Sequence, residues 1–104
     1  MKLLIVTSIK EYQKNVADIL HKAQIKVFSV SETTGFKDDD GEMLMDDWFA
    51  AGEESFDSVF IFSFTTEDKA EQAVSMIKIY NEKHVSQFPI RAFVVPVEKS
   101  SYEV

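Results

Sequence analysis

The hydrophobic pattern divides the chain into six segments that alternate between two periods. Lys2–Thr7 is a short apolar run that predicts a buried strand. After it, Tyr12, Val16, Ile19, Leu20 and Ala23 recur at helical spacing, with Lys10, Lys14, Asp18 and Lys22 off that stripe. Ser8 and Glu11 stand at the spacing of a capping box in front of this helix. Ile25–Ser31 is rich in β-branched and aromatic residues and predicts a second strand, which Gly35 breaks or bends. Ser58–Phe64 is the most hydrophobic run and predicts the third strand. Thr65 and Asp68 offer a second capping box, and Ala70, Ala73, Val74, Ile77 and Tyr80 mark a second amphipathic helix. Pro89 and Pro96 bracket a fourth strand over Ile90–Val95.

The order β-α-β-β-α-β is that of the ferredoxin-like α+β sandwich, in which a four-stranded antiparallel sheet carries two helices on one face. The whole chain, residues 1–104, is expected to form one such domain. A sheet with one wet face should alternate apolar and polar residues. Leu3-Leu4-Ile5-Val6, Val59-Phe60-Ile61-Phe62 and Ala92-Phe93-Val94-Val95 do not alternate. Two helices cover one face only, so the other face is expected to be covered by further copies of the chain.

Charge changes the picture in one place. Of 18 acids, eight fall within residues 38–54, which contain no Lys or Arg. The remaining ten acids nearly balance the 11 bases, so the net charge of −7 belongs to that segment. No basic stripe is available for a phosphate backbone, which argues against nucleic acid as a partner. No run approaches the ~20 apolar residues of a membrane span, and the start lacks the form of a signal peptide, so no membrane insertion and a cytoplasmic location are expected. The chain has no cysteine, which excludes disulfides and thiolate metal sites.

Catalytic signatures are missing. No nucleophile elbow, phosphate-binding loop, dinucleotide fingerprint or His-Glu-x-x-His occurs, and three glycines are too few for a glycine-rich cradle. His21 and His84 read as surface or helix-end residues. The chain is therefore read as a binding protein, not an enzyme.

The connection over residues 36–57 is longer than the about 12–15 residues usual for a structureless loop in a small domain. It mixes acids with Met43, Leu44, Met45, Trp48 and Phe49. Were Glu42–Ala51 to coil into a helix, Leu44, Met45, Trp48 and Phe49 would share a face. That face suits either packing on the domain or its neighbour, or docking on a partner through a Trp anchor. Asp38, Asp39, Asp40 and Glu42 could offer oxygens to a hard cation, but their spacing is not that of an EF-hand, and a solvated acidic turn is the plainer reading. Met43 and Met45 could offer thioethers to copper(I), with packing again the plainer reading.

Val30-Ser31-Glu32-Thr33-Thr34-Gly35-Phe36, in the stretch from Val27, resembles the end of the second strand of the PII signal-transduction proteins, which leads into a long loop. The opening Met-Lys-Leu-Leu-Ile-Val and the strand after the loop also resemble theirs. The resemblance implies a homotrimer whose sheets face the threefold axis. It implies long loops that touch a protein partner such as a membrane transporter or an enzyme, and a nucleotide as the ligand class. On that reading a small ligand sits beside Gly35, Phe36 and Lys37, with Lys37 and Arg91 as cations; alternatively Arg91 is an exposed strand-edge charge or part of an ion pair. Two departures stand out. Lys37-Asp38-Asp39 follows Gly-Phe where the family has glycine and an Arg-Gln or similar pair, and Asn81–Pro89 lacks the glycine-rich loop that precedes the family's last strand. The CutA-type copper-tolerance proteins, which share fold and trimer, and a small ferredoxin-fold enzyme are the alternatives.

Overall fold

The structure, a computed structural model, describes residues 1–36 and 55–101. Strand β1 (Lys2–Ile9) passes through a 3₁₀ turn (Lys10–Tyr12) into helix α1 (Gln13–Lys22). Strand β2 (Ser29–Gly35) follows, then β3 (Phe56–Thr65), helix α2 (Glu67–Lys83) and β4 (Arg91–Pro96). The sheet order is β2-β3-β1-β4 and every pair is antiparallel. This is the ferredoxin-like βαββαβ sandwich.

Register decides which residues meet the helices. Leu4 lies opposite Ser63 and Val94, and Val6 opposite Ile61 and Ala92. Leu4, Val6, Val59 and Ile61 are buried in one core with Val16, Leu20, Ala73 and Ile77 of the two helices. Each such fully buried aliphatic side chain contributes about 1.5–3 kcal/mol. Buried Ser63 donates from its hydroxyl to the Val27 carbonyl at 2.7 Å, which ties the approach to β2 onto β3.

The alternate residues face away from the helices. Leu3 pairs with Phe64 and Val95, Ile5 with Phe62 and Phe93, and Thr7 with Phe60 and Arg91. Phe60, Phe62 and Phe64 follow one another at centroid separations of 6.0 and 6.4 Å. Within the single chain Phe64 and Phe93 are half exposed, at 48% and 51%. The second apolar face read from the three unalternating strands is therefore present and uncovered by the helices.

Several boundaries differ from the sequence reading: β1 runs on to Ile9, β2 to Gly35, β3 spans Phe56–Thr65 and β4 spans Arg91–Pro96, and three further differences have a clear cause. The capping box at Ser8 does not form: Ser8 is still in β1, buried, with its hydroxyl donating to the Ile9 carbonyl. The second cap is Thr66, one residue later than predicted, and it accepts from the Lys69 amide at 3.4 Å. The second strand begins at Ser29 instead of Ile25, because Ile25 belongs to the end of α1. Its amide donates to the Leu20 carbonyl and the Gln24 amide donates to the His21 carbonyl, a Schellman ending with Gln24 in the left-handed region at φ 66°. Ile25 then packs as a core residue against the helix it terminates.

Candidate functional site

A cleft of about 340 Å³ opens where β1 and β2 end and β3 and β4 begin. Thr7, Ser8 and Ile9 form its floor, at the positions where β1 pairs with Phe60, Val59 and Ser58. Gly35 and Phe36 leave β2 on one side, and Phe56 and Ser58 enter β3 beside them. The connection from α2 to β4 closes the rim with Gln87, Phe88 and Pro89, and Arg91 completes it.

Gly35 and Phe56 are cross-strand partners, and the Phe56 ring lies so close to the Gly35 backbone that a Cβ there would collide with it. A glycine is required by this approach. Phe56 in turn meets the Phe88 ring at a centroid distance of 4.7 Å. Gly35 thus lets the Phe56 and Phe88 rings meet beside the end of β2, and Phe36, 62% exposed, also lines the cleft.

The rim connection holds its shape through side chains. Asn81 donates from Nδ2 to the Ile90 carbonyl at 2.8 Å and accepts from the Ile90 amide at 3.1 Å. The Ser86 hydroxyl accepts from the Tyr12 phenol at 3.1 Å and from the Phe88 amide at 3.0 Å. Tyr12 packs edge-on against Tyr80, and the His84 imidazole stacks on the Tyr80 ring at a centroid distance of 4.2 Å. His84 caps α2, its amide donating to the Tyr80 carbonyl. His21 lies exposed in the last turn of α1.

Charge in the cleft is sparse. Arg91 is the one cation lining it among the described residues, and its guanidinium makes no ion pair or hydrogen bond there. Lys10, next to the cleft, is paired with Glu32 at 2.6 Å. The hydrogen bond from that carboxylate, and then its charge, hold the Lys10 ammonium above the ordinary lysine range.

The structure places Gly35, Phe36 and Arg91 in the lining of one cleft. Lys37, the cation-ligand set Asp38, Asp39, Asp40 and Glu42, and the docking set Met43, Leu44, Met45, Trp48 and Phe49 lie outside the described residues. Among the described residues no cluster of three metal-ligating side chains occurs, and no helix is long and apolar enough to cross a membrane. Sequence reasoning missed Phe56, Ser58 and Phe88, whose place in the cleft follows from strand register and from the path of the α2–β4 connection. It also missed Asn81, Tyr12 and Ser86, since side chains that pin a connection carry no local signature.

No protein-family model matches the chain, and no curated protein matches it in sequence. Its fold has clear counterparts among solved structures. A PII-like signalling protein from Thermus thermophilus superposes with a TM-score of 0.60 at 13% identity, over 89% of this chain and 82% of that one. CPII, a nitrogen regulatory PII-like protein from Thiomonas intermedia solved with ADP, AMP and bicarbonate, superposes with a TM-score of 0.62 at 13% identity, over 95% of this chain and 93% of that one. The chain therefore has the fold of the PII-like signalling proteins, the family that its Val30–Phe36 stretch resembles.

Proposed function

We propose that this chain is a divergent PII-like regulatory protein: a single-domain, cytoplasmic homotrimer that reports a small ligand to a protein partner and acts by docking, without catalysis. The observation that carries this reading is the position of the cleft. Its lining includes Gly35 and Phe36, which precede the acidic segment, and Phe56, which follows it. A ligand in the cleft would touch both flanks of that segment, so binding there could change how the segment is presented.

The open sheet face supports the assembly. Leu3, Ile5, Phe60, Phe62, Phe93 and Val95 form one apolar surface, and its removal from water is favourable at about 25 cal/mol per Å². Arg91 shares this face, so the cleft would sit beside a neighbouring copy. CPII, with the same fold, holds ADP, AMP and bicarbonate, which supports a nucleotide or small anion as the ligand class here. The effector is the segment over residues 36–57, whose acids would steer it to a basic partner face such as that of a transporter or enzyme. Trp48, with Met43, Leu44, Met45 and Phe49, would supply the anchor.

Affinity capture with the intact protein and with residues 38–54 deleted, each followed by light scattering, tests this. The expected result is an oligomer in both cases and loss of the specific partner only on deletion. A deletion variant that retains every specific partner sinks the docking role. A deletion variant that falls apart makes the segment structural.

A further inference from the structure

We propose that Asn81 is a positioning residue for the cleft: it sets the start of β4, and with it the Arg91 guanidinium, and it acts on a ligand only through Arg91. This rests on the reading of the cleft as the ligand site.

Arg91 stands where a strand ordinarily frays. The ladder between β1 and β4 ends at the Thr7–Arg91 pair, so β1 holds the chain on one side of Arg91 only. On the other side lies the connection from α2, and connections are less firmly held than the strands they join. Asn81 takes over where the ladder stops. Its Nδ2 donates to the Ile90 carbonyl at 2.8 Å, and its Oδ1 accepts from the Ile90 amide at 3.1 Å. One donor and one acceptor, both aimed at the main chain of a single residue, are what a hydrogen-bonded strand partner supplies. The side-chain amide of a helix residue therefore stands in for a strand residue opposite Ile90.

Ile90 is held twice over. Asn81 fixes its backbone, and its side chain is 2% exposed in the core. Residue 89 is proline, whose ring fixes φ. The backbone that leads into Arg91 thus has little freedom. Asn81 is itself firmly placed. It lies in the last turn of α2, one turn after the core residue Ile77 and beside Tyr80, which packs on Tyr12. Arg91 is exposed and lines the cleft, and the direction in which its side chain leaves the main chain is set by that backbone. An arginine on an ordered backbone loses less freedom when it meets an anion, so its contribution to affinity is larger.

The test is isothermal titration of the full-length protein with ADP, AMP and bicarbonate, after which the tightest of the three is carried through a double-mutant cycle of Asn81→Ala and Arg91→Ala. Circular dichroism and light scattering check the fold and mass of each variant. Asn81→Ala is expected to weaken the probe by about 5- to 30-fold, the effect of ordering one residue's backbone at the moment of binding. In the Arg91→Ala background the same substitution is expected to change affinity by less than about twofold. A merely structural role for Asn81 would weaken binding equally in both backgrounds, and that result overturns the proposal while leaving the cleft as the ligand site. Unchanged affinity in Asn81→Ala overturns it in the same way. Asn81→Gln, which keeps both polar groups one methylene further out, takes its place in the cycle if Asn81→Ala does not fold. No saturable binding of any of the three probes to the parent overturns both the proposal and the reading on which it rests.

Discussion

The two faces of the sheet are built from adjacent residues yet follow different rules. On the helix side Leu4, Val6, Val59 and Ile61 are aliphatic and at most 1% exposed. On the open side Phe60, Phe62, Phe64 and Phe93 dominate, and Phe64 and Phe93 keep about half their surface. Branched aliphatic side chains suit the helix side, where ridges of two helices interlock with a pleated surface at high density. Large aromatic rings would suit the association proposed for the open face, because each brings much apolar area with few rotatable bonds. The difference teaches that one side of the sheet is packed within the chain, while the other stays open in the single chain and is the side that the proposed assembly would cover.

The neighbours Ile61 and Phe62 separate these roles most sharply. Ile61→Ala should lower the unfolding free energy by about 2–5 kcal/mol, measured by urea denaturation, because it leaves a cavity under both helices. A loss below about 1 kcal/mol would mean that the helix side is not the packed one. Phe62→Asp should leave the fold intact by circular dichroism while reducing the mass in light scattering to that of one 11.9 kDa chain. An unchanged mass would remove the open face from the assembly.

Smaller effects are expected at the two ends of the sheet. Gly35→Ala drives a methyl group into the Phe56 ring, and overpacking of this kind costs about 1–3 kcal/mol. It should also deform the Phe56–Phe88 contact, so its ligand affinity should fall by more than that of a surface control at equal thermal midpoint. Normal affinity in this variant would show that Phe56 is not part of the ligand site. Gln24→Gly should stabilise the protein by about 1 kcal/mol, since glycine relieves the left-handed strain at the end of α1. A fall in thermal midpoint would mean that Gln24 makes a contact worth more than its strain.

The smallest effect belongs to the Lys10–Glu32 pair, which is exposed. Its attraction raises the Lys10 pKa on folding, so its contribution is complete below the ordinary lysine value and fades as pH rises through the higher folded value. Stability profiles of Lys10→Met and the parent should therefore run parallel through neutral pH and converge in strong alkali. Profiles that stay parallel into strong alkali would mean that the pair contributes nothing to stability.

Periodicity determined much of this protein from the chain alone. Both helices, all four strands, their order and the second apolar face were legible, because burial imposes a period of 3.6 on helices and 2 on strands wherever a core exists. The grouping of Gly35, Phe36 and Arg91 came from the resemblance to the PII proteins and not from periodicity. The tertiary structure alone decided the rest. The end of α1 was misread because a glutamine occupies the left-handed position where glycine is the usual signal, so Ile25 passed for a strand residue. Phe56 and Phe88 are 32 residues apart by the numbering of the chain, and only strand register and the turn after α2 put their rings in contact. The bonds from Asn81, Tyr12 and Ser86 that hold the rim connection depend on side chains converging from separate elements. Such convergence has no period, and a one-dimensional pattern cannot carry it.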